Sequence, residues 1–196
     1  MERKGYHFFA FLSRMKHINR WGLMRNTSTE NIAEHSHQVA VIAHALAVIK
    51  NTRFGGTVDA DRVAVLALYH DATETITGDM PTPIKYFNPA IRTAYKEIEQ
   101  VAGEKLVAML PDEMRPVYRG IFFKKEGDGE LWALVKAADK ISAYIKCVEE
   151  RLAGNGEFKS AERSTRELIM RDAEPCVEYF MDRFIGSYSL TLDEQD

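Results

Sequence analysis

Residues 30–51 read Glu30-Asn31-Ile32-Ala33-Glu34-His35-Ser36-His37-Gln38-Val39-Ala40-Val41-Ile42-Ala43-His44-Ala45-Leu46-Ala47-Val48-Ile49-Lys50-Asn51. The stretch holds neither glycine nor proline. His35, Val39, Ile42, Leu46 and Ile49 recur at the spacing of one helical face, and His37, Val41, His44 and Val48 at that of a second. A helix apolar on two faces belongs in the middle of a bundle. Thr27, Ser28 and Thr29, just before it, are candidate N-terminal caps.

The same periodicity extends outward in both directions. Phe8, Phe11, Leu12 and Met15 mark a first helix that ends before the polar residues 25–29. After Gly55-Gly56, Asp59 or Asp61 caps a third helix running through Val63, Leu66, Ala67 and His70 to about Thr77, where Gly78 stops it. Two prolines in Gly78-Asp79-Met80-Pro81-Thr82-Pro83 predict a rigid, non-helical loop. Further helices are expected from Pro89 to Leu110, near Val117 to Phe123, from Glu130 to Leu152, and from Glu157 to Ile185 with a kink at Pro175. No run alternates strictly between apolar and polar residues with β-branched enrichment. The expectation is an all-α fold, a compact bundle of about six to seven helices. It forms a single domain over residues 1–196, with its core at about 7–186 and a polar tail at 187–196.

Composition narrows the function classes. A chain of 196 residues that is 45% hydrophobic, with 12 Gly and 6 Pro, buries a sizeable core and is not disordered. A net charge of −3 offers no electrostatic reason to bind a nucleic-acid polymer, so the expected partner is a small molecule or a protein. The longest apolar run, Val39 to Ile49, is broken by His44 and falls short of the roughly 18 residues of a membrane span. Arg3 and Lys4 precede apolar His7 to Leu12, but Arg14 and Lys16 interrupt the pattern of a secretion signal. Cys147 and Cys176 stand far apart and read as reduced thiols, so a cytoplasmic location is expected.

Ionisable residues on apolar stripes carry the chemistry, because a buried helix has no use for them unless they are paired or bound to a metal. His35 opens the central stripe, His70-Asp71 falls late in the third helix, and Asp139 interrupts Lys136-Ala137-Ala138-Asp139-Lys140-Ile141. Singly, each has a plainer reading: a core histidine, a chance dipeptide, a helix-surface charge between lysines. Together, two imidazoles and two carboxylates suit a borderline divalent cation such as Mn, Co, Fe, Zn or Cu.

The order His, His-Asp, Asp, each on a separate strong helix, resembles the HD superfamily of metal-dependent phosphohydrolases. The local context is similar to the bacterial 5′-deoxynucleotidases within it. The residues concerned are Asn19-Arg20-Trp21, Glu34-His35-Ser36, Tyr69-His70-Asp71-Ala72-Thr73-Glu74, Gly78-Asp79-Met80-Pro81-Thr82-Pro83-Ile84-Lys85-Tyr86 and Ala137-Ala138-Asp139. The resemblance implies that His35, His70, Asp71 and Asp139 hold one divalent transition-metal cation, with Co, Mn or Cu supporting activity and Zn or Fe as further candidates. A second metal lacks ligands, since His37 and His44 do not share the stripe of His35 and read as structural.

A bound cation acidifies water and screens the phosphate it attacks. Glu74 lies four residues after His70 and three after Asp71, on the same helical face, and is assigned as general acid or base. Arg20 offers a planar fork for phosphate oxygens, which the resemblance assigns to orienting the phosphate. The resemblance also implies that Trp21 lies against the sugar and excludes a 2′-hydroxyl. Asp79 is expected to accept from the 3′-hydroxyl, with Met80, Pro81 and Thr82 lining the same wall and His35, Asp71 and Asp139 also facing substrate. The implied reaction is hydrolysis of deoxyribonucleoside 5′-monophosphates, with broad base tolerance, by a homodimer whose aromatic last helix (Tyr179, Phe180, Phe184) is a candidate contact. Two alternatives stand beside it. One is another phosphohydrolase of the same superfamily, acting on cyclic nucleotides or polyphosphates, although Arg20 and Lys85 supply few cations for the latter. The other is a helical module that binds nucleotide without turnover.

Overall fold

A computed structural model describes residues 5–85 and 87–196. Arg3, Lys4 and Tyr86 lie outside the described residues. Among the described residues the fold is all-α, with no strand and one isolated antiparallel bridge between Asn19 and Asn31. Helix α1 (Phe8–Leu12) runs into a 3-10 turn (Ser13–His17), and an irregular segment leads to the central α2 (Ile32–Phe54). Helix α3 (Ala60–Tyr69), two single-turn helices α4 (Glu74–Thr77) and α5 (Thr82–Lys85), and the long α6 (Pro89–Ala108) follow. The chain continues through α7 (Arg115–Phe122), α8 (Gly129–Leu152), α9 (Lys159–Met170) and α10 (Pro175–Arg183). Seven of these helices are eight residues or longer, in keeping with the expected number.

Helix α2 packs against α3, α8 and α10. Its His35, Val39, Ile42, Leu46 and Ile49 are buried, and they meet Val63 and Leu66 of α3 and Leu134, Ile141 and Ile145 of α8 in the main core. The second stripe departs from expectation. His37, Val41, His44 and Val48 face solvent, with Val41 57% exposed. Among the described residues no helix is long and apolar enough to cross a membrane.

Several boundaries differ from the periodic reading, each for a local reason. The cap of α2 is Asn31 rather than Thr27, Ser28 or Thr29. Its side chain accepts from the Ala33 and Glu34 amides while Glu34 reaches back to the Asn31 amide, a reciprocal capping box. Residues 27–29 are instead held by α8: the Thr27 and Ser28 amides donate to Glu150, and Lys146 donates to the Ser28 carbonyl. Asp59 is the cap of α3. The third helix does not run unbroken to Thr77, because His70 to Thr73 tighten into i→i−3 turns. Gly78, at φ +74°, ends α4 in a backbone conformation that a side chain would strain. The proline loop is shorter than expected. Thr82–Lys85 forms a helical turn, since Pro83 lies in the first turn, where its missing N–H breaks no bond. Residues 171–174 break the last helix in two, with Pro175 opening α10.

Candidate active site

Three elements bring the ionisable residues together. His35 comes from the first turn of α2, His70 and Asp71 from the tight turn after α3, and Asp139 from the middle of α8. His35, His70 and Asp71 each present one donor atom, all within 4.8 Å of one another. His35 Nε2 lies 3.6 Å from Asp71 Oδ2 and 3.1 Å from Asp139 Oδ1, and His70 Nε2 lies 3.2 Å from Asp71 Oδ2. Donors that share a cation at about 2.1 Å stand roughly 3.0–3.4 Å apart in octahedral or tetrahedral geometry. Asp139 lies outside that three-residue group and meets it through His35, with its side chain 41% exposed.

The tautomers suit a cation. His70 Nδ1 is 2.7 Å from the Ala67 carbonyl, which can only accept, so the proton sits on Nδ1 and Nε2 is left facing Asp71. Ser142 donates to Gln38 Oε1 at 2.6 Å, so its oxygen is free to accept from His35 Nδ1 at 3.2 Å. His35 Nε2 and His70 Nε2 are buried without a hydrogen-bond partner. Two orphaned ring nitrogens against carboxylates are what a divalent ion would satisfy. The electrostatics agree. Burial disfavours a charged His70, yet Asp71 overrules it and raises the imidazole to about 9. Burial would raise the Asp71 carboxyl, but His70, His35 and Arg20 hold it far below its ordinary range. The recess calls for positive charge.

Arg20 enters from the segment before α2. Its Nη1 lies 3.2 Å from Asp71 Oδ2, its Nη2 4.0 Å from Asp139 Oδ1 and its Nε 3.6 Å from Glu30 Oε2. Trp21, beside it, adopts φ +58°, a left-handed conformation rare for a bulky residue. The indole N–H donates to Glu30 Oε2 at 2.8 Å, and the ring lies 5.3 Å from buried Phe158.

Glu74 is buried, and its Oε2 has no hydrogen-bond partner. Burial, and then the charges of Asp71 and Asp79, push its carboxyl up to about 9, so it carries a proton at neutral pH. The tight turn, rather than a continuous helical face, brings it to the cluster. Burial also raises the Asp79 carboxyl, while Arg20, Lys85 and His35 favour its charge and Asp71 opposes it. Met80 and Pro81 are half-buried and Thr82 is exposed. No side-chain hydrogen bond or ion pair joins these three to the cluster among the described residues. His37 and His44 are exposed on α2.

Two contributors escaped the sequence reading. Glu30 touches Arg20, Trp21 and His35 at once, yet precedes the helix and has no periodic position to mark it. Ser142 carried a readable signal, a hydroxyl on the apolar stripe of α8 one turn beyond Asp139.

Known proteins share this architecture. A Listeria innocua HD-domain phosphohydrolase superposes with a TM-score of 0.76 at 24% identity, covering 94% of this chain and 90% of that one. A cyanophage S-2L HD phosphohydrolase, solved with dA and one catalytic zinc ion, superposes with a TM-score of 0.64 at 20% identity, covering 91% and 96%. At these identities the likeness shows the fold alone. In sequence, a Yersinia pestis 5′-deoxynucleotidase is 54% identical over 188 residues, covering 96% of this chain and 95% of that protein. A Yersinia pseudotuberculosis 5′-deoxynucleotidase matches to the same degree. The profile of the YfbR-like 5′-deoxynucleotidases matches residues 7–188, and the chain belongs to that family.

Proposed function

We propose that this chain is a metal-dependent 5′-deoxynucleotidase, hydrolysing deoxyribonucleoside 5′-monophosphates to deoxynucleoside and phosphate. The observation that carries the reading is the pair of unpartnered ring nitrogens, His35 Nε2 and His70 Nε2, set beside Asp71 and the Arg20 guanidinium in one recess. The names of the relatives at 54% identity supply the substrate class. His35, His70, Asp71 and Asp139 would hold one divalent ion, with Mn, Co or Cu supporting activity and Zn or Fe also accepted. When bound, such an ion acidifies water and screens the phosphate.

The remaining roles fall to the chain. Arg20 fixes two non-bridging oxygens with its planar fork. Protonated Glu74 gives its proton to the leaving 5′-oxygen as the P–O bond breaks, and the proton released by the attacking water restores it. Trp21 packs against C2′ and leaves a ribose hydroxyl crowded and unpaired. Asp79 accepts from the 3′-hydroxyl, and Met80, Pro81 and Thr82 line the sugar's outer side. Broad base tolerance is part of the proposed reading.

We further propose a single cytoplasmic domain with its core at residues 7–186, acting as a homodimer. Of the aromatic last helix, Phe180 is buried in the core, Tyr179 is half-buried and Phe184 is 45% exposed, so Phe184 stays a candidate contact. Val41 and Val48 on α2 and Val65 and Leu68 on α3 are among the exposed apolar side chains, and we propose them as the contact with a second copy.

The test is phosphate release from matched dAMP and AMP by metal-stripped protein resupplied with Mn or Co. Release from dAMP with little from AMP, lost in Glu74→Ala, is expected. Equal release from both would remove the sugar selectivity. Release only from cyclic nucleotides or triphosphates would replace the substrate class, and none from any would leave a binding module.

A further inference from the structure

We propose that Glu30 is a positioning residue that ties Trp21 to His35, so that one carboxylate sets both cation affinity and discrimination against a 2′-hydroxyl. This inference rests on the roles proposed above for those two residues. Glu30 divides its oxygens between them. Oε2 accepts the indole N–H of Trp21 at 2.8 Å, and Oε1 faces Nδ1 of His35 at 3.4 Å. Arg20 Nε approaches Oε2 at 3.6 Å, and the Arg20 amide donates to the Glu30 carbonyl at 2.9 Å. The Asn19–Asn31 bridge and the bond from the Ile32 amide to the Ile18 carbonyl fix the backbone on either side.

Each end of the tie has something to hold. Trp21 sits at φ +58°, where the backbone alone does not set the ring, and the Glu30 acceptor together with the Phe158 face orients it. His35 is buried, and Nδ1 faces only acceptors: the Glu30 carboxylate and the Ser142 oxygen, whose own proton goes to Gln38. Both demand a proton on Nδ1, which leaves the Nε2 lone pair turned towards Asp71 and Asp139. A ligand histidine oriented in this way binds more tightly, and loss of such a partner costs roughly 10–100-fold in metal affinity. An amide at position 30 has one accepting atom for two donors, so it cannot serve Trp21 and His35 together.

The experiment compares wild type, Glu30→Gln, Ser142→Ala and Trp21→Phe by two readouts. The first is Co(II) affinity from visible absorption of nucleotide-free protein. The second is the ratio of kcat/KM for dAMP to that for AMP. Glu30→Gln is expected to weaken Co(II) binding about 10–100-fold and to lower the ratio about tenfold. Ser142→Ala should move only the affinity and Trp21→Phe only the ratio. Glu30→Gln moving one readout or neither overturns the inference, while wild type retains both properties and the function stands. If wild type binds no Co(II) or treats the two nucleotides alike, the underlying reading fails and the tie with it. Should circular dichroism show Glu30→Gln unfolded, Glu30→Asp replaces it. That side chain is one methylene too short to reach both partners, and the same two losses are expected.

Discussion

At the scale of single residues, the site is a set of charges that do not balance without a cation. Asp71 raises the His70 imidazole to about 9, so a proton occupies the cluster below that pH in the absence of metal. Metal and proton then compete. Raising the pH towards 9 should tighten metal binding, with about one proton released per ion bound near neutral pH. Calorimetric titration in buffers of different ionisation enthalpy checks this, and a pH-independent affinity would contradict it. Most of the cluster was legible in the sequence, because His35, His70, Asp71 and Asp139 are ionisable groups set on otherwise apolar helical faces. Glu30 was not, because its position depends on a two-residue bridge that brings Arg20 and Trp21 back beside the start of α2.

At the scale of elements, the segment carrying Arg20 and Trp21 has little regular structure of its own and is moored to α8. Glu150, nearly fully buried, accepts from Lys146, Asn155 and the Thr27 and Ser28 amides. Burial would raise its carboxyl, and these hydrogen bonds overrule it and hold the pKa well below the ordinary range. Glu150→Gln leaves the buried Lys146 ammonium without its counter-charge, and the expected loss is about 3–5 kcal/mol in urea denaturation at pH 7. The folded pKa is depressed, so the contribution is complete above the unfolded value of about 4.3 and fades as the pH falls below it. Wild type and variant should therefore converge in acid. Long helices were readable because α2, α6 and α8 have sustained periodicity and clear ends. The break after Tyr69 was not, since His70-Asp71-Ala72-Thr73 contains neither glycine nor proline and tightens only where tertiary packing draws Asp71 and Glu74 to the cluster.

At the scale of the molecule, periodicity identified α2 as central but not which of its faces is covered. The His37 stripe is as regular as the buried one and lies in solvent, because α3, α8 and α10 occupy the remaining sides. A homodimer would explain why Val41, Val48, Val65 and Leu68 remain apolar there. Sedimentation analysis should give twice the chain mass of 22.3 kDa, and Val41→Asp combined with Val48→Asp should give the monomer with its helical content intact. A wild-type monomer would remove the proposed partner and leave the active site untouched.

The site is proposed to hold one cation between two helices, α2 and α8, and the tight turn after α3. Anomalous diffraction at the cobalt edge, from crystals of the protein equilibrated with Co(II), tests it most directly. One peak per chain is expected, at about 2.0–2.2 Å from His35 Nε2, His70 Nε2 and carboxylate oxygens of Asp71 and Asp139. No peak at the cluster, or a peak held by other residues, would contradict the account.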